Sequence, residues 1–122
     1  MTEKAESTGE GQPASLATVT DATFEEVVLQ SPVPVVVDFY ADWCGPCRQA
    51  EPLLSRLSNT LSGKVRFTRL NVDENEQTAE SYGVYSIPTF IFVERGTERG
   101  RQVGLLAENE FRTILKKYFD KV

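Results

Sequence analysis

The sequence has no histidine, and only two cysteines, one tryptophan and one methionine occur among its 122 residues. Without imidazole there can be no Ser-His-Asp or Cys-His nucleophile system, no His-bearing metal site and no imidazole proton shuttle. Any chemistry must therefore run on carboxylates, cysteines or the backbone. Two cysteines are too few to frame a small secreted fold, and their close spacing points instead to redox or metal chemistry. Positive charge is also scarce, with 13 Lys and Arg against 18 Asp and Glu and a formal net charge of −5. A binder of phosphate backbones would gather basic residues on one face, so nucleic acid is not an expected partner. No stretch approaches the roughly 18 consecutive apolar residues of a membrane span, so no membrane partner is expected either. A chain of this length makes one domain with a core that needs no staple and leaves no room for a second.

Residues 1–15 carry Glu3, Lys4, Glu6 and Glu10 among Gly, Pro, Ser and Thr. They show no basic start, apolar run or small-residue cleavage pattern, so no signal peptide is expected. Too little apolar surface is present to offset ordering entropy, which predicts a flexible acidic tail. The folded domain is expected over 16–122.

Within that domain the pattern predicts a short strand over 16–20, then a helix with Phe24, Val27 and Val28 on one face, opened by a Thr23–Glu26 capping box. Pro32 and Pro34 interrupt any helix. The β-branched and aromatic run over 35–40 reads as a central strand buried on both faces, in which Asp38 is out of place. Leu53, Leu54, Leu57 and Leu61 recur at helical spacing, with a kink expected at Pro52 and a stop at Gly63. A strand over 64–72, a short polar helix over 73–82 ended by Gly83, and a strand over 89–93 follow. A turn at Gly96 leads to a strand over 101–105. Phe111, Ile114, Leu115, Tyr118 and Phe119 then form one apolar stripe on a last helix. Such alternation implies an α/β fold with a mixed sheet and helices on both faces.

Cys44 and Cys47 fall at a strand-to-helix junction, with Pro46 suited to the first helical turn. Side chains at i and i+3 of a helix lie roughly 5–6 Å apart, a gap that a disulfide can close without unfolding the turn. The pair can therefore alternate between dithiol and disulfide. As a staple it would do little, since the chain-entropy model assigns a four-residue loop only about 2 kcal/mol. A helix N-terminus favours the thiolate that attacks disulfides, which assigns Cys44, beside Trp43, as nucleophile and the more buried Cys47 as resolving thiol. Gly45 and Pro46 keep the approach open. A closed zinc site needs four ligands, so two sulfurs without imidazole argue against a metal. Two inert structural cysteines remain the competing reading, against which stands their place on a turn at an element boundary.

The segment Val37-Asp38-Phe39-Tyr40-Ala41-Asp42-Trp43-Cys44-Gly45-Pro46-Cys47, followed by Ile87-Pro88-Thr89 and by Gly104 after the hairpin, resembles the thioredoxin family over 16–122. The resemblance implies a thioredoxin fold, a central mixed sheet flanked by four helices. It implies a thiol–disulfide oxidoreductase that reduces protein disulfides, with no bound cofactor beyond a redox-active Cys44–Cys47 disulfide. Its expected partners are disulfide-containing proteins and a separate electron donor, thioredoxin reductase or an equivalent.

By the same resemblance Asp38 is the proton acceptor for Cys47. A lone carboxylate in an apolar strand should have a raised pKa, which suits that task, whereas a salt-bridged structural Asp is the plainer alternative. Pro88 matches the family's cis-proline, before which the backbone pairs with an extended substrate. Trp43, Gly45, Pro46, Val72, Ser86, Ile87, Pro88, Val103 and Gly104 fall on the positions that line this groove. Tyr40 stands where many members have a second tryptophan, and Tyr85 and Ser86 replace the residues common before Ile-Pro. Arg69 stands where the family often has a lysine facing the aspartate; a guanidinium stays charged, which argues against proton relay through it. Gly45-Pro46, with no histidine between the cysteines, favours a reductant over an oxidase or isomerase. A partner-binding module using the same groove is a further alternative. A monomer in the reducing cytoplasm is expected.

Overall fold

The computed structural model describes residues 16–120 and Val122; the tail expected over 1–15 lies outside them. The strands are β1 (Leu16–Thr18), β2 (Val35–Tyr40), β3 (Arg66–Asn71), β4 (Thr89–Glu94) and β5 (Thr97–Val103). The helical elements are a π-helical turn at Glu25–Leu29 and helices α1 (Gly45–Thr60), α2 (Glu76–Ser81) and α3 (Glu108–Tyr118). The strands form one five-stranded sheet in the order β1-β3-β2-β4-β5. β3 runs parallel to both β1 and β2, while β4 is antiparallel to β2 and β5. The fold is thus the α/β mixed sheet flanked by helices that the alternation implies.

β2 is central because its side chains are apolar on both faces. Val36, with Phe67, Phe90 and Phe92, packs against Leu53, Leu54 and Leu57 of α1 and against Phe111 and Leu115 of α3. Val35, Val37 and Phe39, with Ile91 and Val93, pack on the other face against Phe24, Val28 and Ala79. The two-residue period of the strand assigns Asp38 to the Val36 face, beneath α1. Among the described residues no helix is long and apolar enough to cross a membrane.

Local expectations change at several boundaries. The reciprocal cap at the first helical segment is made by Thr20 and Thr23, not by Thr23 and Glu26. The Thr20 N–H donates to Thr23 Oγ1 at 2.9 Å, and the Thr23 N–H donates to Thr20 Oγ1 at 3.2 Å. A threonine at the third position can return the bond as a glutamate would, so the chain turns earlier. The segment is also wound as a π-turn, in which the Gln30 N–H reaches the Glu25 carbonyl at 3.0 Å.

α2 starts at Glu76, later than the polar pattern predicts. Asn71 Oδ1 accepts from the Asp73 N–H at 2.9 Å, and Asn75 Nδ2 donates to the Asn71 carbonyl at 3.0 Å, which holds the intervening residues in a turn. β5 begins at Thr97 rather than 101, because Arg95 and Gly96 both adopt positive φ, 52° and 78°, in a tight two-residue turn. Thr97 therefore pairs directly with Glu94. The strand ends at Val103, and Gly104 at φ 97° turns Leu105 out of the sheet. α1 runs through Pro52 as one element, although that residue has no N–H to offer the Arg48 carbonyl.

Candidate active site

β2 delivers the chain to the edge of the core, and α1 starts immediately after it. Cys44 is the N-cap of α1, in extended conformation, and its Sγ accepts the Cys47 N–H at 3.2 Å. Pro46 sits in the first turn of the helix, where its missing N–H costs nothing. The two sulfurs are joined in a disulfide whose Cα atoms lie 5.3 Å apart. In this oxidised form both cysteines are buried, at 4 % and 2 % exposure, so accessibility separates them less than the sequence leads one to expect. What separates them is position, since only Cys44 stands at the helix cap. Above the pair the surface is open: a Cβ built on Gly45 meets nothing within 4 Å.

The remaining sequence-derived positions converge here from other elements. Val72, at the end of β3, and Ile87 pack with Tyr40 against the small cluster of Ala41, Cys44 and Cys47. The Ile87–Pro88 peptide is cis. The Gly104 N–H donates to the Pro88 carbonyl at 2.8 Å, which brings the end of β5 and Val103 beside the proline. Ser86 is exposed, and its carbonyl accepts the Thr89 hydroxyl. Neither the N–H nor the carbonyl of Ile87 has a partner among the described residues. The Trp43 indole is exposed and its N–H donates to Asp73 Oδ2 at 2.8 Å.

Trp43, Tyr85, Val103 and Leu105 are the large apolar side chains left exposed among the described residues. Trp43 directly precedes Cys44 and Val103 and Leu105 flank Gly104, while the Tyr85 ring lies beside Gly83. Leu105 adds an exposed apolar side chain next to Gly104, beyond the positions expected from sequence. The signal for Leu105 was hidden because the residue reads as strand; only the turn at Gly104 directs it outward.

Asp38 is buried to 1 % exposure, on the α1 face of the sheet. Burial pushes its pKa up to about 7, with Arg69 pulling it down and Glu51 pushing it up. Arg69 is its register partner on β3, yet no ion pair joins them among the described residues. The guanidinium instead donates from Nη2 to Glu51 Oε2 at 2.8 Å, and its Cζ lies 4.0 Å from the centroid of the Tyr40 ring. Asp38 Oδ1 has no hydrogen-bond partner. The geometry is thus that of an unpaired buried carboxyl and not of a salt-bridged one. No three Cys, Asp or Glu side chains converge as metal ligands among the described residues.

A cysteine pair at the cap of a helix can exchange two electrons with another disulfide. Comparison with known proteins agrees. The thioredoxin family model matches residues 15–117. The thioredoxin of Synechocystis sp. is 44% identical over 100 residues, covering 82% of this chain and 94% of that protein. That of Rickettsia felis is 39% identical over 99 residues, covering 81% of this chain and 94% of its own. Thioredoxin 1 of Nostoc sp. is 40% identical over 105 residues, covering 86% and 98%. The family match spans β2, the disulfide and the cis-proline alike, and the chain therefore belongs to the thioredoxin family, as a thiol–disulfide oxidoreductase that reduces protein disulfides.

Proposed function

We propose that Cys44 is the attacking sulfur, Cys47 the resolving one, and Asp38 the proton acceptor for Cys47. The observation that carries this assignment is the Cys47 N–H aimed at Cys44 Sγ at the cap of α1. In the dithiol form the same N–H and the unpaired donors of the first helical turn favour the Cys44 thiolate. That thiolate attacks one sulfur of a substrate disulfide; the substrate S–S bond breaks, a mixed disulfide forms at Cys44, and the other substrate sulfur leaves as a thiolate. Cys47 then gives its proton to Asp38 and attacks Cys44 Sγ. The mixed disulfide breaks, the second substrate thiolate leaves, and Cys44 and Cys47 are joined. Two electrons have passed to the substrate, and a separate reductase, thioredoxin reductase or an equivalent, returns them.

Substrate docks as an extended segment along Trp43, Gly45, Pro46, Val72, Ser86, Ile87, Pro88, Val103 and Gly104. The unpartnered N–H and carbonyl of Ile87 and the exposed apolar rim support this placement. The domain is 16–122, acting as a cytoplasmic monomer without a bound cofactor.

The test is NADPH consumption with a thioredoxin reductase and insulin as disulfide substrate. Turnover is expected from the native chain, and its absence from folded, reduced protein overturns the assignment. A Cys47→Ser variant should accumulate stable mixed disulfides through Cys44; accumulation through residue 47 in the complementary Cys44→Ser variant would reverse the two roles.

A further inference from the structure

Asp38 and Arg69 are partners in the β2–β3 register, and the strand period puts both under α1. A buried carboxylate and a guanidinium so placed would ordinarily close a charge-assisted pair. Here each is left with an unsatisfied buried atom, Oδ1 on Asp38 and Nε on Arg69. The arginine is engaged elsewhere on two sides. Its Nη2 meets Glu51 Oε2 at 2.8 Å, and the face of its guanidinium lies on Tyr40, 4.0 Å from the ring centroid. Glu51 is one helical turn beyond Cys47 on α1, so it reaches the sheet from the same side as the resolving cysteine.

We propose that Glu51 is a positioning residue for Asp38: by holding the Arg69 guanidinium against Tyr40 it keeps that cation from pairing with the buried carboxyl. Asp38 then stays free to take a proton from Cys47, a consequence that rests on the roles proposed above. Without Glu51, Arg69 can swing its fork to Asp38 Oδ1, and the carboxylate becomes a stabilised, weaker base. The charged groups that act on Asp38 are Arg69 from β3 and Glu51 from α1. From β4 Asp38 is opposed by the uncharged Phe90, and in the oxidised protein the cysteines are joined in a disulfide and do not titrate. The directions agree with the geometry, since Arg69 lowers the Asp38 pKa and Glu51 raises it.

The experiment follows the Asp38 carboxyl by 13C NMR across pH in the oxidised protein, comparing native chain, Glu51→Gln, Arg69→Met and the double variant. Glu51→Gln is expected to lower the Asp38 midpoint by about half a pH unit or more. In the Arg69→Met background the same exchange should move it much less. No movement in Glu51→Gln overturns the proposal. Equal movement with and without Arg69 also overturns it, because Glu51 would then act on Asp38 directly. Arg69→Gln serves the same comparison if Arg69→Met does not fold. The titration reads Asp38 whether or not it serves Cys47, so failure here is distinct from failure of the catalytic assignment, which is read from rates of mixed-disulfide release.

Discussion

The indole N–H of Trp43 donates to Asp73 Oδ2 at 2.8 Å, tying the residue before Cys44 to the turn that follows β3. The ring is otherwise largely exposed, so this bond fixes its orientation at the groove. Replacing Asp73 by Ala removes the acceptor and frees the rotamer. An exposed hydrogen bond of this kind contributes about 0.5–1 kcal/mol, which corresponds to a twofold to fivefold rise in KM for a protein disulfide with little change in kcat. Because Trp43 is the sole indole, its fluorescence should change in the same variant. An unaltered KM with altered fluorescence would separate the ring's orientation from docking.

Asp38→Asn should slow release of the mixed disulfide more than initial attack, by about 100-fold or more if the carboxyl works as a general base. Stopped-flow measurement of both steps decides it, and equal slowing would remove Asp38 from the resolving role. The native rate of release should rise with pH through the Asp38 midpoint near 7 and lose that dependence in the variant.

The same residue should cost stability in a defined pH window. Its folded pKa, about 7, lies above the ordinary aspartate value of 3.8, so the unfolded chain ionises first as pH rises. Between these values the native state binds more protons, and stability falls with increasing pH. Asp38→Asn should therefore stabilise the oxidised protein at pH 8 by up to about 4 kcal/mol, a gain that shrinks towards zero near pH 4. Denaturant unfolding at the two pH values checks both sign and window.

Asp21 caps α2 from outside the helix. Its carboxylate accepts the Thr78 N–H at 2.9 Å and the Gln77 N–H at 3.3 Å, while its own N–H donates to Asn75 Oδ1 at 2.9 Å. Burial pushes the Asp21 pKa up, but the bonds from Thr78 and Gln77 together outweigh it and hold the group below its usual value. Asp21→Ala should cost about 1 kcal/mol at neutral pH. The difference from the native chain should disappear as pH falls through the lowered pKa, because protonation removes the charged cap. Urea unfolding at neutral and acid pH is the measurement, with insulin reduction expected to be unchanged.

Gly100 is required by packing, not by backbone conformation. A Cβ built there would collide with the Tyr118 ring, which lies across β5 from α3. Gly100→Ala should destabilise the fold by about 1–3 kcal/mol. Adding Tyr118→Ala should recover part of the loss attributable to the collision, which a double-mutant cycle would expose as coupling. Additive losses would show that the ring yields without strain.

The order of elements was readable because each signal is local. The β-branched run of β2, the leucine spacing of α1 and the apolar stripe of α3 each report on neighbours within one or two turns. The errors fell at boundaries settled by through-space bonds. Thr23 caps through Thr20, α2 waits for a turn stapled by Asn71 and Asn75, and β5 starts early because Arg95 adopts a left-handed conformation that its residue type does not announce.

The same division runs through the site. Absence of histidine and two cysteines at helical spacing across Gly45-Pro46 point to a redox pair, and the apolar run around Asp38 points to a carboxyl buried in the sheet, since residue type and local spacing carry those signals. Which way that carboxyl is governed was decided only in three dimensions. Strand register places Arg69 opposite Asp38, and helix packing brings Glu51 down to claim the guanidinium before Asp38 can. Electrostatic energy depends on distance through space and on burial, and neither is proportional to separation along the chain.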